Sequence, residues 1–299
     1  SLREEFLGMV RESVAHRIGE SPIGCYLSGG TDSSTVSGMV TQITGKPAET
    51  YSIGFDVPGY DEMEYARIAV RHFGTHHHEY YITPDDLVTG MPKVAASYDQ
   101  PFGNSSAVPA YYCALRAKQD GIDHLLAGDG GDELFGGNTR YAKQRVFGIY
   151  DQIPEMLRKA ILEPAFADSS VFDRVPLLKK GASYVRQARV PMPDRMQTYN
   201  LLMRMGLDSV FTADFLERID AIEPDRHQRE TYAACPDHAS LVNKMLAYDW
   251  RYTLAENDLP KVVGSAHLAG VDVGFPFLDD RVLDFSLKLP TNYKLKGLK

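Results

Sequence analysis

The sequence predicts an α/β fold, a parallel sheet flanked by helices, joined to a mostly helical second half. Three observations carry this. Strand-like and helix-like runs alternate at short intervals through residues 1–140. Two of the strand-like runs end abruptly in glycine-rich turns. From 141 to 248 the apolar residues then recur at helical spacing, broken by prolines. Ser1 to Ile18 opens as an amphipathic helix, with Leu2, Phe6, Met9, Val10, Val14 and Ile18 on one stripe and Ser1/Glu4 spaced as a capping box. Ile23–Leu27 is a strand, and Val36, Met39, Val40 and Ile43 mark the next helix. Thr50–Phe55 (strand), Asp61–Phe73 (helix) and Glu79–Thr83 (strand) follow. A helix from Asp85, another over Ala107–Lys118 and a strand at His124–Ala127 complete the first part. Helical runs are expected at Val146–Leu162, Tyr199–Met205, Phe211–Ile222 and Leu241–Tyr248, and 249–299 is expected to return to the ligand-binding edge. The whole, 1–299, reads as one domain, and both ends look cut, as in a fragment of a longer protein.

Composition narrows the function classes. With 299 residues and 43% hydrophobic residues the chain can bury a sizeable core. A net charge of −8 and the lack of a basic stripe exclude nucleic acid as the primary partner. Such a surface repels phosphates, so a nucleotide site must be a local cradle built from backbone amides. Cys25, Cys113 and Cys235 lie far apart, which argues against a disulfide framework or a zinc ribbon and fits a reducing compartment. No apolar stretch approaches the ~20 residues of a membrane span, and no signal segment opens the chain. No membrane association and a cytoplasmic location are the expectation.

Leu27-Ser28-Gly29-Gly30-Thr31-Asp32-Ser33-Ser34 lies between a strand and a helix. Its glycines let the backbone take positive φ and approach a ligand closely. Ser28, Thr31, Ser33 and Ser34 bring hydroxyls, and the following helix points its free amides at the turn. A polyphosphate requires these features. The segment is not a Walker loop, since the Lys-Ser/Thr pair is missing. The bland alternative is a Ser/Gly turn that only caps the helix.

A second glycine-rich segment, Ala127-Gly128-Asp129-Gly130-Gly131-Asp132-Glu133-Leu134-Phe135-Gly136-Gly137, also follows a strand. Its carboxylates would stand at the C-terminal edge of the sheet, where parallel sheets bind ligands. Asp32 and Asp132 could there share a Mg²⁺, which takes a few carboxylates together with phosphate oxygens. The alternative is a solvated acidic loop.

Together the two segments resemble the synthetase domain of glutamine-dependent asparagine synthetases, with their SGGxDSS loop and later SG(D/E)G(G/S)DE segment. The resemblance continues through Tyr51–Phe55, Tyr60-Asp-Glu62, Gly74–Glu79, Asp99–Phe102, Lys261 and Phe275–Asp279. It implies a PP-loop ATP-pyrophosphatase fold of the adenine nucleotide α-hydrolase kind, with ATP and Mg²⁺ as cofactors. It implies an adenine and ribose pocket from the backbone at Leu27, Ile53, Ala127 and Gly128, pyrophosphate held by Ser28–Ser34, and Mg²⁺ at Asp32 and Asp132. Asp129 stands where the family has a base for amide formation, and Lys261 where it has a functional lysine. The implied reaction joins a carboxylate substrate, aspartate or an analogue, to AMP. Ammonia delivered by a glutaminase domain then displaces the AMP. That domain is missing from this chain, and a homodimer is left open. A late family lysine corresponds to Lys299 or to a position beyond it.

Four positions depart from the family pattern, at Val263, Gly264, Asp272 and Gly274. An Asp and an Arg are replaced at the first two, a Glu at Asp272 and a second Arg at Gly274. Two guanidinium forks are thereby lost, which predicts weaker binding of a dicarboxylate. An acceptor other than aspartate is the runner-up reading. A tRNA- or nucleobase-activating enzyme and a catalytically incomplete nucleotide-binding domain are the other classes. His76-His77-His78 invites a metal reading, but consecutive histidines on a strand face opposite ways and a tetrahedral site needs convergence, so the run reads as strand-edge histidines. Asp279 and Asp280 read equally well as caps of a helix over Arg281–Leu287.

Overall fold

The computed structural model describes residues 1–56, 63–166, 176–198 and 200–297. Tyr60-Asp-Glu62, the expected helix start at Asp61, Tyr199 and Lys299 lie outside the described residues. Two compact units emerge, one of Ser1–Phe135 with Trp250–Leu289, the other of Gly136–Asp249 with Pro290–Lys299.

The first unit is a five-stranded parallel sheet covered by helices, as the alternation predicts. In chain order its elements are α1 (Leu2–Arg17), β1 (Ile23–Tyr26), α2 (Thr31–Thr44), β2 (Glu49–Phe55), α3 (Met63–Phe73), β3 (His76–Ile82), α4 (Pro84–Ser97), α5 (Ala107–Gln119), β4 (His124–Leu126), α6 (Gly131–Phe135) and β5 (Asp272–Gly274). The strand order is β3-β2-β1-β4-β5. The chain builds outward from β1 through β2 to β3, then crosses back to place β4 on the other side of β1. The order therefore reverses between β1 and β4, and the crevice at the carboxyl ends of these strands is the expected ligand position.

Local signals explain most boundaries. The Ser1–Glu4 capping box forms at the start of α1. Thr83 and Asp86 make a second one at α4, with Pro84 in the first turn, where its missing N–H costs nothing. Helix α2 ends on Gly45 at φ 67°, a left-handed position that suits glycine. Strand β3 starts three residues before the expected Glu79, because the histidine run hides the apolar alternation while its backbone pairs with β2 from Glu49↔His76 onward. Strand β5 is only three residues long and was not expected. Two apolar clusters cover the sheet: one joins Tyr51, Val108, Tyr112, Ala114 and Leu125, the other Val10, Val14, Cys25, Val36 and Leu126.

The second unit is helical, as predicted, with shifted boundaries. The run expected over Val146–Leu162 begins at Thr139 behind the Asn138 cap and stops at Asp151. Pro154 then precedes a new helical turn. Only Ala213–Glu217 is α-helical within Phe211–Ile222, whereas Leu241–Asp249 matches its expectation. The helix Glu223–Ala233 was not foreseen, because it carries too few apolar residues to show a stripe. No helix among the described residues is long and apolar enough to cross a membrane.

Candidate active site

The loop after β1 is organised around Ser28 and Ser33. The Ser28 amide donates to Ser33 Oγ at 3.2 Å, and the two hydroxyls are 3.0 Å apart. Gly30 N donates to Ser28 Oγ at 3.3 Å. Leu27 N donates to Tyr51 O at 2.9 Å, and Ser52 Oγ donates back to Leu27 O, so β2 fixes the exit of β1. Gly29 has φ 82°, and a Cβ there would lie 2.4 Å from Ala66 N. Both facts demand glycine. Gly30 is the N-cap of α2 and makes no side-chain cap hydrogen bond to the first amides of the helix. A fourteen-residue helix with an uncapped start is suited to an anion.

The loop after β4 lies directly against this one. A Cβ on Gly128 would come within 2.5 Å of Ser33 N, and one on Gly131 within 2.2 Å of Asp32 Oδ2. The glycines of the second segment are thus what lets the two loops close on each other across the β1/β4 crevice. Asp132 and Asp129 both lie within electrostatic reach of Asp32. Burial, then the charges of Asp132 and Asp129, push the Asp32 carboxyl up to about 7. Burial also raises Asp129, to about 6, while the charge of Lys261 pulls it down and that of Asp258 pushes it up. Lys261 Nζ donates to Asp258 Oδ1 at 3.0 Å. Asp258, which no sequence pattern singles out, ends a π-helical stretch over Trp250–Asp258. Such widened turns are frequent at functional sites.

Beside the serine loop is a mainly apolar cavity of about 190 Å³. Leu27, Ser28 and Ile53 line it, together with Tyr51, Pro109 and Cys113, which were not anticipated. Ala127 and Gly128 are not among the lining residues. Ala127 instead donates to Gly274 O at 2.9 Å, and Gly128 abuts Ser33.

The two departing glycines are packed rather than open, while Asp272 is exposed. A Cβ on Gly264 would lie 2.9–3.0 Å from the Tyr98 ring, whose hydroxyl donates to Pro260 O at 3.2 Å. One on Gly274 would meet Leu126 Cδ2 at 2.8 Å and His124 Nε2 at 3.1 Å. Asp279 caps the helix Asp280–Lys288 by accepting from Arg281 N at 3.1 Å, and its bonds to Arg281 hold its carboxyl below the usual range.

Comparison with known proteins decides the family. The asparagine synthase profile matches residues 5–299. The chain belongs to the asparagine synthase family. It is 26% identical to the glutamine-hydrolyzing asparagine synthetase 1 of Bacillus subtilis (strain 168) over 301 residues, 99% of this chain and 45% of that protein. It is 37% identical to a putative glutamine-hydrolyzing asparagine synthetase 2 of Methanocaldococcus jannaschii over 159 residues, 52% of this chain and 30% of that one. Identity to the asparagine synthetase B of Escherichia coli (strain K12) is 28% over 156 residues, 47% of this chain and 28% of its relative. The chain spans less than half the length of these relatives.

Proposed function

We propose that this chain is the synthetase domain of a glutamine-dependent amido-ligase, which cleaves ATP to AMP and pyrophosphate to activate a carboxylate. The observation that carries the reading is the closure of Gly128 and Gly131 onto Ser33 and Asp32 at the strand-order reversal. It sets an uncapped helix start, a serine-lined turn and three carboxylates around one crevice.

In this reading adenine occupies the apolar cavity beside Leu27 and Ile53, and the pyrophosphate lies on Ser28–Ser34. The acceptor carboxylate attacks the α-phosphorus, forming an acyl–AMP bond as the bond to pyrophosphate breaks. The amides at the start of α2 and the hydroxyls of Ser28 and Ser33 take up the charge that develops on the departing pyrophosphate. Asp32 and Asp132 fit a divalent cation, because the raised Asp32 carboxyl marks an excess of negative charge that burial makes costly. When bound there, Mg²⁺ supplies neutralisation of the phosphate charge. Ammonia then attacks the acyl carbon and AMP leaves. Asp129, ionised above about pH 6, accepts a proton from the incoming nitrogen, and Lys261 steadies the carboxylate between transfers.

The ammonia source is a glutaminase domain working with this chain, and the setting is cytoplasmic. Aspartate is the default acceptor. A different carboxylate is the second reading, favoured by the Tyr98 ring that fills the space beside Gly264. ATP–pyrophosphate exchange, measured on the protein with its glutaminase domain and a panel of carboxylates, separates the two. Exchange with aspartate supports asparagine formation, and exchange only with another acid replaces it. Absence of exchange with every acid, while ATP binds, would leave a nucleotide-binding domain rather than a ligase.

A further inference from the structure

The opposite end of the same sheet carries a second compact set of ionisable groups. Strands β2 and β3 begin there, and their register puts Glu49 beside His76 and Tyr51 beside His78. Alternation along β3 turns His77 to the other face, where its Nδ1 lies 3.0 Å from Thr50 Oγ1. His76 and His78 therefore share a face with Glu49. His76 Nδ1 is 2.9 Å from Glu49 Oε1, and His78 Nε2 is 2.7 Å from Glu49 Oε2. One donor atom from each of the three lies within 4.8 Å of the other two.

His78 is held from behind. Its ring stacks on Tyr51 with centroids 4.6 Å apart, and its Nδ1 is 3.3 Å from Asp120 Oδ2. If Nδ1–H donates to Asp120, a neutral His78 aims the lone pair of Nε2 at a carboxylate oxygen, which is repulsive. A cation placed between these atoms would remove that repulsion. A carboxylate bonded to the far nitrogen of a histidine is also the usual support of a metal-ligating imidazole.

We propose that Glu49, His76 and His78 bind a divalent transition-metal cation of the zinc class. Two imidazole nitrogens and one carboxylate suit zinc and not magnesium, which prefers an all-oxygen shell. Water would complete the tetrahedron, since His76 is 65% exposed. Zinc–ligand bonds of about 2.0–2.1 Å at tetrahedral angles set donors about 3.3 Å apart. The present spacings of 2.9 and 2.7 Å must therefore widen by about 0.5 Å, which turns of the exposed His76 ring and of the partly exposed Glu49 carboxylate allow. A cation so held pins the first residues of the edge strand β3 to β2, away from the nucleotide crevice.

The test is a zinc titration of the metal-stripped full chain at about pH 7.5, where unperturbed histidine is neutral, followed by calorimetry and thermal unfolding. The expected result is one zinc site of about micromolar or tighter affinity that Glu49→Gln, His76→Gln and His78→Gln each weaken at least tenfold. Asp120→Asn should weaken it less, and excess Mg²⁺ should not displace the metal. Co²⁺ in place of zinc should show the visible bands of a tetrahedral ion, lost in His78→Gln. Because His76 is solvent-facing, His76→Gln keeps the test valid should another variant fail to fold. Failure of the wild-type chain to bind zinc would overturn the proposal. So would wild-type affinity in the Glu49 and His76 variants, whose cluster would then be two ion pairs and any zinc bound elsewhere.

Discussion

In the helical unit the buried Arg195 is only 2% exposed and surrounded by acceptors: its Nε donates to Val190 O at 2.7 Å, and its Nη2 to Ala188 O at 2.6 Å and to Asp151 Oδ1 at 3.3 Å. In the sheet unit Asp32 and Asp129 are partly buried, and each is pushed toward its protonated form by burial and by neighbouring acids. One charge is satisfied by the chain itself. The other pair keeps an excess of negative charge, which Lys261 offsets in part at Asp129. Buried charge with its own partners belongs to the architecture, whereas buried charge short of partners marks a ligand site.

The contrast is sharpest for Asp32. Asp32→Ala should lower ATP–pyrophosphate exchange by about 10³-fold or more, the scale of losing a principal electrostatic group in an active site. Circular dichroism should remain unchanged, because the removed carboxylate is one the fold does not need. Near-normal exchange in this variant would take Asp32 out of the site. Arg195→Leu should do the reverse, costing about 3 kcal/mol by orphaning two buried carbonyls, with the nucleotide affinity of the remaining folded protein unchanged. Denaturant titration read beside ATP binding tests both halves of that statement.

How much of this was legible in the sequence follows from the range of the forces involved. The serine loop and the acidic loop declare themselves because glycine, serine and aspartate at a strand end reflect local backbone demands, as Gly29 at φ 82° shows. Their meeting depends on strand order, which sequence spacing alone does not contain. For the same reason the pairing of Glu49 with His76 escaped a reading that considered the three histidines only against one another, since it needs the β2–β3 register. The Tyr98 ring against Gly264 is likewise a packing between distant helices. The sequence spacing likewise does not place Lys261, with Asp258, beside Asp129, which only the fold does.

Gly131→Ala probes the meeting of the loops with the smallest chemical change. The added methyl would fall 2.2 Å from Asp32 Oδ2. A short carboxylate side chain can swing aside, so the fold should survive while Asp32 is displaced. An error of about 1 Å at such a position costs about 10²-fold in rate. Exchange kinetics should therefore drop by that factor with a melting temperature within a few degrees of wild type. Loss of the fold instead would mean that Gly131 is a backbone requirement and not a spacer for the carboxylate.

The smallest expected effect concerns stability without ligand. An unfolded Asp32 would titrate near its ordinary value of 3.8, whereas folding raises it to about 7. Between these values the folded chain holds a proton that the unfolded chain has released, so the contribution of Asp32 is most favourable below about pH 4 and declines as pH rises through 7. Asp32→Asn removes that decline. The metal-free variant should match wild type at or below about pH 4, gain on it between about pH 4 and 7, and exceed it above pH 7 by about 1–2 kcal/mol, allowing for partial exposure and relaxation. Asp129 and Asp132 are coupled to Asp32 through their charges, so the difference reports the removal of Asp32 together with the relief of these two neighbours. Mg²⁺ added above pH 7 should raise the melting temperature of wild type and close the gap, because a cation that binds only the folded form stabilises it. A variant that responded equally to Mg²⁺ would place the cation on other carboxylates and dissolve the contrast between the two units.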